Sequence, residues 1–413
     1  MNKDLMKKYA EFVVRVGVNV NPGQTLIIQS PLDAAFFARE CAAAAFAAGA
    51  ADVVVKYSDE QLTRIRMDKA REETLCDVKP HVLRSYLDYV ESEGGACVLN
   101  IHADDPEALK GLDAGKLNRV SMARRAALEP WRNYTMNDLI QWCVVAIPSP
   151  AWAAVVFPGM ETQAAMEKLW QLIFEVCRID PDTDPVAVWK AHTARMSENR
   201  DKLNALGLAS VRLVSKNGTD LTIGLADDHV WEGAASVAAN GIPFIPNIPT
   251  EEVFTAPHRL HVDGVVKGTR PYVYNGQLIE GFSVTFKDGK VVEHSAEKND
   301  ELLGELLASD EGASHIGEIA LVPASSPINR SGVLFYNTLF DENAACHIAF
   351  GAGYPGTVKG GNAMTKEQLL ALGVNDSAVH EDVMVGAEDM TITGLCRNGA
   401  TVTIFENGEW AIG

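Results

Sequence analysis

Near Gly207 the pattern of this chain changes, and the change limits the architectures open to it. Before that point, apolar runs at 25–29, 52–57, 97–101 and 142–147 read as strands. Between them lie helical patterns at 3–16, in the Ala-rich stretch 32–49 and at 60–70. Such alternation predicts an open, mainly parallel α/β sheet over residues 1–207. After it the runs are short, at 211–214, 220–223, 281–286, 290–293 and 401–405. Asn217-Gly218, Asp288-Gly289 and Asn398-Gly399 punctuate them and favour tight hairpins. Residues 208–413 therefore predict a β-rich α+β domain. A chain of 413 residues is long enough to give each domain its own core.

Several function classes are disfavoured at this level. The formal charge is −19, from 55 acidic against 36 basic residues, and a field of that sign repels phosphate backbones. No nucleic-acid partner is expected. No GxGxxG follows the first strand and no GxxxxGK[ST] occurs, so a nucleotide site has no support. The seven cysteines include no CxxC and sit mostly in apolar runs, as in Trp142-Cys143-Val144-Val145. They read as buried reduced thiols of a cytoplasmic protein. Met1-Asn2-Lys3-Asp4 is no secretory leader, and the apolar run 34–51 carries Arg39 and Glu40. It is too weakly hydrophobic to span a bilayer, so no membrane association is expected.

The residues that carry chemistry concentrate between 317 and 382. Glu318 precedes the run Ile319-Ala320-Leu321-Val322, where a carboxylate at a strand edge projects into a cleft. His347 follows small residues, and a lone histidine there is more often a hydrogen-bonded core residue than a ligand. His380-Glu381-Asp382 is sharper. In extended backbone His380 and Asp382 point the same way, about 7 Å apart, and can reach one metal, with Glu381 facing away. Glu251-Glu252 lies in a Pro-bounded apolar segment, the alternative being a solvated edge strand. Tyr354, after Gly351-Ala352-Gly353, can present its hydroxyl to a substrate or serve only in packing. Imidazole and carboxylate together suit zinc, cobalt or manganese. GxSxG and HExxH are both absent, which removes two common hydrolase plans. His102 with Asp104 and Asp105 reads as a solvated loop rather than a second metal site.

Taken together, the segments 251–257, 317–322, 341–354 and 380–382 resemble the thermophilic metallo-aminopeptidase family of aminopeptidase T, aminopeptidase S and PepS. The resemblance covers nearly the whole chain. It implies two divalent metal ions in the C-terminal domain, held by Glu252, Glu318, His347, His380 and Asp382, with Tyr354 as a catalytic neighbour. Glu251 and Glu318 both remain open as the general base or acid, Glu251 being carried as the catalytic carboxylate. The resemblance further implies peptide substrates with a free N-terminus and a homodimer. Two competing readings are another metal-dependent amidohydrolase or dipeptidase, and a non-catalytic peptide-binding relative. No group before residue 207 is assigned to chemistry, so alanine at His81, His102 or His192 is expected to leave turnover nearly intact.

Overall fold

The structure is a computed structural model that describes residues 2–103 and 105–412. Asp104, weighed above with His102, lies outside the described residues. The chain divides into two compact units, Met1–Ala191 with Ala235–Pro249, and His192–Ala234 with Thr250–Gly413. No described helix is long and apolar enough to cross a membrane.

The first unit is built on a five-stranded sheet in the order Asn247–Ile248, Trp142–Ala146, Ala96–His102, Thr25–Pro31, Asp52–Ser58. Every pairing in it is parallel, as the strand–helix alternation predicts. Leu26, Ile27 and Ile28 are all fully buried, which is what a central strand covered on both faces requires. Each such side chain contributes roughly 1.5–3 kcal/mol when taken out of water. The Ala-rich helix Ala35–Ala47 buries Phe37, Ala38, Cys41, Ala44 and Ala45. The strand Asn247–Ile248 joins this sheet from more than 100 residues beyond Ala146, its entry marked by the Val144 N–H donating to Pro246 O at 2.7 Å. Two residues carry no periodic signal, so pattern reading does not see it.

The second unit holds two antiparallel sheets. The larger has eight strands and includes Leu208–Val214, Asp220–Leu225, Pro257–Lys267, Ser283–Lys287, Lys290–Ser295, Thr391–Cys396 and Thr401–Glu406. Asp288 (φ 50°) and Gly289 (φ 82°) join two of these as a hairpin with both turn residues at positive φ. The long strand Pro257–Lys267 escapes pattern reading because a register shift between Pro257 and Val262 breaks its alternation. The smaller sheet runs His380–Met384, His347–Gly351, Ile316–Leu321, Val253–Thr255, Glu232–Gly233. Ile319, Leu321, Ile348, Phe350 and Val383 all enter one apolar core that both sheets share with Leu302, Leu303, Leu306 and Leu307 of the helix Asp300–Leu307. Alternation along the strands leaves the opposite face of the small sheet for Glu318, His347, His380 and Asp382.

Candidate metal centre

Strand register brings the candidate ligands together. Glu318 lies opposite Ala349, which in turn lies opposite Asp382, so one row crosses three strands. His347 pairs with Ala320 one row along, and His380 pairs with Gly351 one row the other way. Rows two residues apart share a face, so all four side chains emerge on the same side. The small Ala349 between them lets the two carboxylates converge. Glu252 arrives from the end of the next strand, Val253–Thr255.

Two glycines make this packing possible. The register shifts between Ile316 and Glu318, a bulge that re-aims Glu318. A Cβ on Gly317 at that bulge would sit 2.2 Å from the Ala352 carbonyl oxygen. Gly351 has φ 101° and would place a Cβ 2.2 Å from Val379 O, a conformation and a space that other residues cannot share.

The result is two groups of three ligands that share Glu318: Glu252, Glu318 and His347, and then Glu318, His380 and Asp382. In each group the donor atoms all lie within 4.8 Å of one another. His347 Nδ1 donates to Ala345 O at 3.1 Å, and its Nε2 faces Glu252 Oε2 at 3.1 Å and Glu318 Oε1 at 3.6 Å. His380 repeats the plan. Its Nδ1 donates to Ala352 O at 2.7 Å, and Nε2 faces Asp382 Oδ1 at 3.4 Å and Glu318 Oε2 at 3.9 Å. Backbone carbonyls thus fix both tautomers so that both Nε2 atoms are turned to the carboxylates.

The electrostatics of the cluster favour positive charge. Burial raises the Glu318 pKa, and the Glu252 and Asp382 charges add to it. Burial by itself lowers both histidine pKa values, but the carboxylates more than reverse this. His347 ends well above its usual value and His380 at about 10. Among the described residues no lysine or arginine supplies a positive charge to these carboxylates by an ion pair, and only the two imidazoles face them. Asp382 Oδ1 is buried with no well-formed hydrogen bond, His380 Nε2 standing 3.4 Å away. A buried oxygen left in that state is costly unless a ligand takes it up. The donor set therefore fits divalent metal ions.

One neighbour escaped the reading of the sequence. Glu342, in the turn Glu342–Ala344, has its pKa driven well up by burial and then by Glu252 and Asp382. Its carboxylate belongs to neither ligand group but is close enough to feel the charges of both. The adjacent Asp341 does different work, accepting from the Phe335 N–H at 2.8 Å and the Asn337 N–H at 3.0 Å. Sequence offered one clue, three successive polar residues between Leu339-Phe340 and Ala344-Ala345. Glu381 lies on the opposite face of its strand from His380 and Asp382, where burial lifts its pKa to about 8.

Tyr354 stands beside the cluster, its ring edge-on to His380 with centroids 4.8 Å apart and 6.0 Å from Phe254. Burial and the nearby carboxylates, Glu318 first, keep its pKa well above 10, so the hydroxyl holds its proton. Glu251 belongs to neither ligand group. It is buried rather than solvated, its N–H donating to Asn343 Oδ1 at 2.7 Å, and its carboxylate lies 3.7 Å from His192 Nε2.

The surroundings of His192 argue against counting it with His81 and His102 as dispensable. It belongs to the second unit, is 5% exposed, and donates Nε2–H to Thr250 O at 2.8 Å. It holds the Thr250-Glu251-Glu252 segment. His192→Ala is expected to lower kcat/KM about tenfold, in line with roughly 1–3 kcal/mol for a buried acceptor left unpaired. His192→Asn, which can still donate, should recover part of the loss, and His81→Ala and His102→Ala should lose none. Unchanged turnover in folded His192→Ala would remove this role.

Comparison with known proteins places the chain in a family. The family model described as thermophilic metalloprotease (M29) matches residues 2–410. Aminopeptidase 2 of Geobacillus stearothermophilus is 44% identical over 406 residues, covering 98% of this chain and 97% of that protein. Aminopeptidase T of Thermus thermophilus is 40% identical over 410 residues, 98% of each chain. The solved structure of wild-type AmpT from Thermus thermophilus superposes with a TM-score of 0.91 at 39% identity and 99% coverage of both chains. The chain belongs to the thermophilic metalloprotease (M29) family and is a metallo-aminopeptidase.

Proposed function

We propose that the chain releases N-terminal residues from peptides at a centre of two divalent ions held by Glu252, Glu318, Glu342, His347, His380 and Asp382. One observation carries the reading: two Nε2 atoms, each with its Nδ1 proton committed to a carbonyl, face carboxylate oxygens at 3.1–3.9 Å. A neutral imidazole in that orientation turns a lone pair toward anions, and a divalent ion between them resolves the clash. Charge supports two ions over one. Ionised Glu252, Glu318, Glu342 and Asp382 carry four negative charges, which two divalent ions neutralise and one leaves half unbalanced. Nitrogen and oxygen donors without thiolate suit Zn²⁺, Co²⁺ or Mn²⁺.

When bound, such ions would polarise the scissile carbonyl and bring the pKa of a water near neutrality. The chain's own residues do the rest. The Tyr354 O–H, proton-bearing and with no hydrogen bond among the described residues, donates to the carbonyl oxygen as negative charge builds there. Glu251, a buried carboxylate next to a ligand yet outside both ligand groups, takes the proton of the attacking water and returns it to the leaving amine. His192 and Asn343 hold its segment in place.

The reading extends to a homodimer acting in the cytoplasm, with the unit that begins at Met1 serving access and assembly rather than chemistry. The cysteines, in no disulfide and all buried except the half-buried Cys76, support a reducing compartment. The test compares leucine p-nitroanilide with its N-acetylated form, with and without chelator. Chelation is expected to abolish turnover, Zn²⁺, Co²⁺ or Mn²⁺ to restore it, and the acetylated substrate to resist. Full activity after exhaustive chelation, with no metal found by elemental analysis, would overturn the proposal. Ready cleavage of the blocked substrate would favour the amidohydrolase reading.

A further inference from the structure

The second unit contains a cavity of about 320 Å³ that the chemistry above does not use. Arg270 and Glu388 both line it, and among the described residues neither makes an ion pair, with the other or with anything else. Arg270 is half-buried and donates Nη2–H to Asn329 Oδ1 at 2.6 Å and Nη1–H to Val333 O at 3.4 Å. These two bonds fix the guanidinium plane and leave further N–H donors of its fork uncommitted. Burial pushes the pKa of this guanidinium down, and the charge of Asp341 offsets this only in part. The remaining wall mixes polar residues such as Thr269 with an apolar stretch that includes the half-buried Pro271 and Leu334.

A small cavity with one positive group, one negative group and an apolar stretch of wall matches one ligand chemistry. We propose that this cavity binds a free α-amino acid, its carboxylate on Arg270, its ammonium on Glu388 and its side chain against Pro271 and Leu334. A volume of 320 Å³ is at the lower end of small-molecule pockets, which suits a ligand of that size better than a peptide. The site is separate from the metal centre but linked to it. Ala345 lines the cavity, and its carbonyl oxygen is the acceptor that orients His347 through Nδ1. An amino acid in the cavity therefore acts on a candidate metal ligand without touching it. Free amino acids are also what an aminopeptidase releases, so occupancy would report accumulated product. Only this choice of ligand rests on the proposed function.

The test begins with calorimetric titration of L-leucine into chelator-treated protein, so that binding does not depend on the metal centre. The expected result is one leucine per chain, with at least tenfold weaker binding in Arg270→Gln and in Glu388→Gln. Glu388 is exposed, so its variant tests the site even if Arg270→Gln fails to fold. N-acetyl-leucine and leucinamide, each lacking one charge, should not bind. In the metal-loaded enzyme, leucine should lower kcat as well as raise KM, and Glu388→Gln should keep only the effect on KM. Absence of leucine binding to the chelated wild type would overturn the proposal. So would equal affinity in Glu388→Gln, or a purely competitive pattern in the wild type.

Discussion

Glu318→Ala is expected to empty both metal positions at once and to lower kcat/KM by on the order of 10³-fold or more. Glu318 is the one residue common to both ligand groups, with one oxygen 3.6 Å from His347 Nε2 and the other 3.9 Å from His380 Nε2. Losing the charge stabilisation that bound ions supply removes several kcal/mol, and each 1.36 kcal/mol is a factor of ten. Glu252→Ala provides the contrast, because Glu252 enters only the group with His347. It should weaken one position and leave the other loaded. The measurement is metal content per chain after dialysis, alongside turnover, with thermal unfolding in chelator as the check on fold. Two retained ions and near-normal turnover in Glu318→Ala would sink the shared-carboxylate model.

The same residues show why part of the site was legible in the sequence. His380 and Asp382 are two apart in extended backbone, and a period of two is enough to put them on one face. That Glu318 and His347 share the face follows from strand register, which no local pattern records. Segment resemblance supplied it instead. Glu342 sits in a short turn rather than a strand, so neither periodicity nor spacing distinguished it from Asp341. His192 was missed for another reason. It lies in a helix that reads as the end of the first half, while its buried imidazole serves the segment before Glu252. At the level of fold, the parallel sheet was readable because its central strands are long and apolar. The strands Asn247–Ile248 and Pro257–Lys267 were not, one being too short and the other broken by a bulge.

The most discriminating single substitution is Tyr354→Phe, because it separates catalysis from metal binding. The ring packs edge-on against His380 and lies beside Phe254, and phenylalanine preserves both contacts. Fold and metal content should therefore survive. What disappears is one proton donor, kept protonated by burial and by the surrounding carboxylates. A donor aimed at charge that develops only in the transition state contributes little to substrate binding. The expected result is a fall in kcat of about 10²–10³-fold, typical of removing one oxyanion donor, with KM little changed. His347→Ala and Asp382→Ala should behave differently, losing metal first and activity as a consequence. Metal titration distinguishes the two cases, since excess Zn²⁺ or Co²⁺ can recover part of a ligand variant's activity but none of that lost with the hydroxyl. If Tyr354→Phe turns over at the wild-type rate with its metal complement intact, Tyr354 is a packing residue, and oxyanion stabilisation must come from elsewhere.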